Sequence, residues 1–242
     1  MALSITIARN ANIAALVAER PGLALLQRLH IESSPRRRWQ RDDHITHDLQ
    51  ISLMGKTGYG KSTFANAFCG QKLLGTSAVA ACTRTAQSYE FAINPGNYLS
   101  VVDLPGMGES TERDTEYRQL YRDMIGKTDV ILYLLRADQR DYSIDEQAFA
   151  QLFKTPEVRR KTLIILNGCD KIEPLQRQKT AQPSPEQQAN IQAKIQSLRA
   201  IVPHRAPIIP CSAETGWNLS EVEHALMDKI WQSPGIHFAP NP

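Results

Sequence analysis

Residues 55–62 constrain this chain more than any other segment. They read Gly55-Lys56-Thr57-Gly58-Tyr59-Gly60-Lys61-Ser62, followed by Thr63, and they fit the pattern G-x-x-x-x-G-K-[ST] in full. Glycines at these places let the backbone curl until several N–H groups converge on one point, which makes a cradle for phosphate. In that chemistry Lys61 brings a positive charge to the β/γ-phosphates, and Ser62 offers a hydroxyl ligand to Mg2+. The flanks agree with the motif. A strand-like run, LQISLM, precedes it, and a helix-like run, STFANAF, follows. Such a helix aims its positive dipole end at the same anion.

From Leu49 onward, strand-like and helix-like segments alternate, which predicts an α/β fold of the P-loop NTPase kind. Three layers are expected: a mostly parallel central sheet with helices on both faces. Strands are predicted at Leu49–Met54, Ser88–Ile93, Leu99–Asp103, Val130–Leu135, Leu163–Leu166 and Pro207–Ile209. Helices are predicted at Lys61–Phe68, Thr115–Ile125, Asp145–Phe153, Ser184–Ile201 and Leu219–Trp231. The fourth helix is the best marked, with Ser184 as N-cap, Pro185 at the first helical position and Gln187 completing a capping box. Residues 1–48 are predicted to form a helical extension and a basic linker, residues 49–232 the nucleotide domain, and residues 233–242 a tail that cannot hold a helix. In the extension, the apolar spacing gives two short helices broken near Pro21, which begins the second.

The phosphate motif alone does not choose the nucleotide, so downstream residues must. Asp103-Leu104-Pro105-Gly106 ends a predicted strand, where a carboxylate can reach the Mg2+ shell and the Gly106 N–H can reach a γ-phosphate. Asn167-Gly168-Cys169-Asp170 ends a later strand. There Asp170 can accept from both N1–H and N2–H2 of guanine, an edge adenine does not offer. Cys211-Ser212-Ala213 ends the last strand, where backbone N–H groups can support the guanine carbonyl. All these loops leave the carboxyl edge of the sheet, where open α/β folds bind ligands. GTP/GDP and Mg2+ are therefore the expected ligands.

These motifs, in this order, resemble the translation-factor-class GTPases, in particular the Era/TrmE-like branch. They are most similar to the small prophage-associated GTPases often grouped as 50S-ribosome-binding GTPases. The segments that carry the resemblance are GKTGYGKSTFANAF, AACTRT, DLPGMGE, NGCDKIEP and PCSAETGW. It implies that Thr83, with Thr85 as the alternative, is the switch threonine that ligates Mg2+ and senses the γ-phosphate. Ser62, Thr83 and Asp103 then form the metal set, and Lys61, Thr83 and Gly106 the residues facing the reaction. Three departures stand out. Gly168 replaces the lysine of the usual NKxD base motif, whose stem covers the nucleotide ring, and Lys171 is placed with the nucleotide-binding residues to act from another angle. Met107 follows DLPG where Ras-like relatives carry a water-positioning glutamine, which predicts slow turnover. Gly58 stands where potassium-stimulated relatives carry asparagine, so no potassium activation is expected.

Two rival functions fit the same motifs: a GTP-binding scaffold with little turnover, and a P-loop ATPase or kinase. The switch regions imply a protein partner or a homodimer. The run Arg36–Arg41 (RRRWQR over 36–41) carries enough charge, with an aromatic, for a ribosome or RNA contact. The Era branch often adds a KH domain after the core, and only residues 232–242 follow Trp231, so none is expected here. A net charge of +3 is too small to argue for nucleic acid by itself. Four scattered cysteines, without CxxC spacing, point to a reducing cytoplasm and away from structural zinc. No apolar run approaches a membrane span.

Overall fold

The computed structural model describes residues 6–31, 38–41, 44–70, 86–108, 111–175, 182–203 and 206–239. Its elements, in chain order, are β1 (Thr6–Asn12), α1 (Ile13–Glu19), a 3-10 helix (Pro21–Arg28), β2 (Leu29–Ile31), β3 (Arg38–Arg41), β4 (His44–Met54) and α2 (Lys61–Cys69). There follow β5 (Gln87–Asn94), β6 (Asn97–Asp103), α3 (Thr111–Lys127), β7 (Val130–Arg136), α4 (Ser143–Leu152) and α5 (Pro156–Arg160). The last are β8 (Thr162–Asn167), a 3-10 turn (Cys169–Lys171), α6 (Pro185–Leu198), β9 (Ile208–Pro210), α7 (Leu219–Trp231) and β10 (Ile236–Phe238).

One sheet runs in the order β1-β5-β6-β4-β7-β8-β9, with β3 paired to β4 outside that path. The β4, β6, β7, β8 and β9 pairings are parallel, and β5 joins β6 as an antiparallel hairpin. Strands buried on both faces read as continuous apolar runs. In β7, Val130 to Leu135 are all buried. In the central β4, Leu49, Ile51 and Leu53 fill one face, while Gln50 and Ser52 are buried on the other. That polar pair is satisfied by Thr128, whose hydroxyl lies 3.1 Å from Gln50 Nε2 and 2.6 Å from Ser52 Oγ.

The α/β expectation holds, but residues 1–48 are only partly helical. β1 pairs in parallel with β5 and extends the sheet by one strand, and β2 pairs antiparallel with β10. These short segments lack the alternation that marks a strand locally; β1 takes strand form from the open edge of β5, and β2 and β10 take it from each other. The segment 233–242 likewise holds β10. The two expected helices on either side of Pro21 are present, the second as a 3-10 helix. Between them, Arg20 donates from Nε to Phe68 O (3.0 Å) and from Nη2 to Ala67 O, at the carboxyl end of α2. A cation there complements the helix dipole and ties the extension to the helix that follows the phosphate loop.

Candidate functional site

β4 delivers the chain to the loop 55–60, and α2 leaves it. At Gly55 φ is +137°, and a Cβ would lie 2.5 Å from Leu134 O. Only glycine fits there, because β7 runs directly beneath. Lys61 is buried, and its ammonium donates to Gly55 O (3.1 Å) and Lys56 O (3.2 Å), inside the curl of the loop. Tyr59 points the other way. Its hydroxyl donates to Asp145 Oδ2 (2.7 Å), and the Tyr133 hydroxyl donates to Asp145 Oδ1 (2.8 Å). Asp145 is completely buried, and desolvation raises its carboxyl above the ordinary value although both tyrosines oppose the shift. The floor of the loop is thus fastened to the first turn of α4.

One corner of the site is built from oxygens. Ser62 Oγ donates to Asp103 Oδ2 at 2.7 Å. Asp103 is wholly buried, and its Oδ1 has no hydrogen-bond partner among the described residues. Burial raises its carboxyl, while the Lys61 charge and the Ser62 hydroxyl pull it back. An unsatisfied buried carboxylate oxygen is costly. A serine hydroxyl beside it completes an all-oxygen pair that suits a small hard cation such as Mg2+. Thr83 lies outside the described residues. Gly106 sits against the phosphate loop so closely that a Cβ would be 2.4 Å from Thr57 Oγ1. Beyond it, Met107 O accepts from the Thr57 N–H at 2.9 Å, and Met107 is buried. The segment after Asp103 is therefore zipped onto the cradle, and Tyr121 of α3 pins both with its hydroxyl on Gly55 and Pro105 O.

The opposite corner gathers the NGCD and CSA segments. Asn167, expected beside a base, spends its amide on protein groups: Nδ2 donates to Tyr59 O (3.2 Å) and Oδ1 accepts from the Ala213 N–H (3.0 Å). It braces the phosphate loop against the last strand-end loop, and the Ala213 N–H is engaged with it. Asp170 is half-buried and accepts from Ser212 Oγ through Oδ1 at 2.6 Å. Ser212 Oγ in turn accepts from the Thr215 N–H at 3.1 Å. Lys171 is exposed at the rim. A cavity lined by Gly58, Gly60, Thr63, Asn167, Gly168 and Asp170 joins this corner to the cradle. Burial pushes the Cys169 thiol up to about 12, which leaves it inert.

Three features of the site are not marked by any motif. Gln187 does not close a capping box. Its backbone N–H takes the Ser184 cap at 3.2 Å, but its side chain donates to Ile172 O (2.8 Å), with Cys169 O and Asp170 O each at 3.4 Å. Those carbonyls face inward from the 3-10 turn, so a buried donor is worth more there than on the N-cap. Asp145 looks in sequence like an ordinary first-turn acid, yet it lies under Tyr59. Arg136, at the end of the apolar run of β7, lines the same cavity as Asp170. The basic run is described only as the backbone of β3, over Arg38–Arg41, and residues 36–37 lie outside the described residues. Among the described residues, no helix is long and apolar enough to cross a membrane.

Comparison with known proteins fits this geometry. Residues 50–168 match the family described as 50S ribosome-binding GTPase. The chain is similar to YfjP of Escherichia coli K12, 37% identical over 181 residues that make up 74% of this chain and 62% of YfjP. It thus spans about three fifths of that relative's length. It is also 31% identical to GTPase Der of Streptococcus agalactiae over 188 residues, which is 75% of this chain and 39% of Der. Among solved structures, Aquifex aeolicus Era bound to GDP·AlF4− superposes with a TM-score of 0.60 at 22% identity, over 81% of this chain and 58% of Era.

Proposed function

We propose that this chain carries an Era-like P-loop GTPase domain, which binds guanine nucleotide and hydrolyses GTP to GDP and phosphate, slowly, as a conformational switch. The observation that carries the guanine choice is Asp170. Ser212 occupies one of its oxygens, and Oδ2 has no protein partner among the described residues. Asp170 lines the cavity shared with the phosphate loop, and its carboxylate meets N1–H and N2–H2 of guanine, with Oδ2 toward N2. Asn167 acts as the brace that sets the distance between base loop and cradle, and Ser212 orients Asp170.

In the cradle, the amides of residues 58–62 and the Lys61 ammonium hold the phosphates, and α2 adds its dipole. Ser62 and Asp103 are the residues that hold Mg2+, with Thr83 as the third. The cation, when bound, neutralises phosphate charge. Gly106, packed against Thr57 of the phosphate loop, senses the γ-phosphate. Met107 is apolar and cannot orient an attacking water, so intrinsic turnover is slow. A protein partner, or a second copy of the chain through the switch regions, supplies the accelerating group. Contact with a ribosome or RNA through Arg36–Arg41 belongs to the same proposal. The buried thiols of Cys69, Cys169 and Cys211 suit a reducing cytoplasm.

Single-turnover assays with protein in excess of labelled GTP and Mg2+ test the activity. Release of phosphate that is lost in Lys61→Ala supports a switch. Stable GTP retained over hours, unhydrolysed, favours a scaffold. Displacement of GTP by ATP at equal concentration favours an ATPase or kinase.

A further inference from the structure

Gly168 leaves a gap in the site. Its φ is +76°, a left-handed conformation that a lysine side chain would adopt only under strain. A Cβ built there would be in ordinary van der Waals contact with Lys171 Cδ at 3.8 Å, and among the described residues no other side chain or distant backbone comes within 4 Å of it. The missing side chain is therefore written into the backbone, and one face of the proposed base site has lost its usual cover.

The next strand presents a replacement. Arg136 ends β7 and pairs in register with Asn167 of β8, which puts it one strand away from Gly168 on the same sheet edge. It lines the cavity together with Gly58, Gly168 and Asp170. Its guanidinium is held as a flat plate. Nε donates to Asp138 Oδ1 (2.6 Å) and Nη2 to Asp138 Oδ2 (2.7 Å), a two-pronged pair that fixes the plane. The remaining nitrogen, Nη1, reaches Gly58 O of the phosphate loop at 3.5 Å. The Tyr142 hydroxyl donates to the Arg136 carbonyl at 2.7 Å and steadies the backbone beneath. The side chain is 38% exposed, so it is accessible from the cavity it lines.

We propose that Arg136, oriented by Asp138, covers the purine ring of the bound nucleotide and takes the place of the lysine absent at Gly168. The inference rests on the guanine-nucleotide site proposed above. A planar, delocalised cation stacks on an aromatic ring better than an ammonium does, and Arg136 is set in that role before any ligand arrives. Because Asp138 offsets its charge, Arg136 acts on the base rather than on the phosphates. Lys171 lines the same cavity but is exposed, and among the described residues no carboxylate holds it as Asp138 holds Arg136. Arg136 is therefore a binding residue and Asp138 its positioning residue.

Dissociation constants for fluorescently labelled GDP and GTP test this on the wild-type chain and on Arg136→Ala, Arg136→Lys, Lys171→Ala and Lys61→Ala. Arg136→Ala is expected to weaken GDP and GTP by the same factor, about 3- to 30-fold. Arg136→Lys keeps the charge, loses the flat pair with Asp138, and is expected to lose affinity in the same direction. Lys171→Ala, the rival cover, is expected to weaken binding less than Arg136→Ala does. Melting temperatures without nucleotide confirm that each variant is folded. Unchanged affinity in a folded Arg136→Ala protein overturns the inference. So does a loss confined to GTP, which would place the guanidinium on phosphate, or a loss seen at Lys171→Ala instead. A wild-type chain that binds neither GDP nor GTP, or a Lys61→Ala variant that binds both normally, overturns the nucleotide site itself.

Discussion

Replacing Asp170 by asparagine turns the base choice of the site into a measurable quantity, because the structure fixes how the amide must sit. Ser212 Oγ accepts from the Thr215 N–H, so its own proton is committed to Asp170 Oδ1. In Asp170→Asn the amide oxygen inherits that proton, and the NH2 group turns toward the cavity. There it confronts the N2–H2 donor of guanine, whereas xanthine presents a carbonyl acceptor at the same position. An unsatisfied polar group in a partly buried site costs about 1–3 kcal/mol. That cost corresponds to roughly a 5- to 150-fold loss of GTP affinity, and XTP gains by the same logic. Binding constants for GTP and XTP on both proteins, by calorimetry or competition, give the answer. A variant that still prefers GTP and ignores XTP refutes the placement of Asp170 on the base edge.

Lys61→Ala is expected to remove most triphosphate binding while the protein stays folded, since Gly55 O keeps the Met107 N–H as a donor; nucleotide titration and a melting curve check both halves. Gln187→Ala takes the side-chain donor from Ile172 O and Asp170 O, while Cys169 O keeps the Ile172 N–H, and is expected to cost about 1–3 kcal/mol of stability, with weaker GDP binding, read from urea midpoints and a binding assay. Asp145 has a raised carboxyl in the folded state, so it holds its proton to higher pH than the unfolded chain does. Its contribution is present in full below the unfolded value and is lost as pH rises through the folded one. Asp145→Asn is therefore expected to flatten part of the decline in stability above about pH 4, measured as unfolding free energy against pH. Turnover without a partner is expected to be slow and indifferent to K+ against Na+, and a several-fold acceleration in K+ would contradict the assignment of Gly58.

The parts of this fold that were legible in the sequence are those whose signal is local. The run LQISLM, the glycine loop and STFANAF specify strand, loop and helix from neighbouring residues alone. The all-apolar VILYLL fixes a doubly buried strand in the same way. β1, β2 and β10 were not legible, because each becomes a strand only by pairing with a segment distant in sequence. The site divides along the same line. Gly55, Lys61, Ser62, Asp103 and Asp170 announce themselves by motif. Asn167 does too, but whether its amide meets a ligand or the Tyr59 and Ala213 backbone depends on three loops at once. Arg136 acquires meaning only from the β7–β8 register that sets it beside Asn167. Asp145 does so only because Tyr59, pointing down from the phosphate loop, buries it.

The central claim is that one site, spanning Lys61 to Asp170, recognises guanine nucleotide. Calorimetric titration of GTP, GDP and ATP into the intact chain, with and without Mg2+, tests it most directly. The account predicts saturable binding of GTP and GDP, tighter GTP binding when Mg2+ is present, and no competing affinity for ATP. ATP binding as tight as GTP, or GTP binding that survives unchanged in Lys61→Ala and Asp170→Asn, would contradict it.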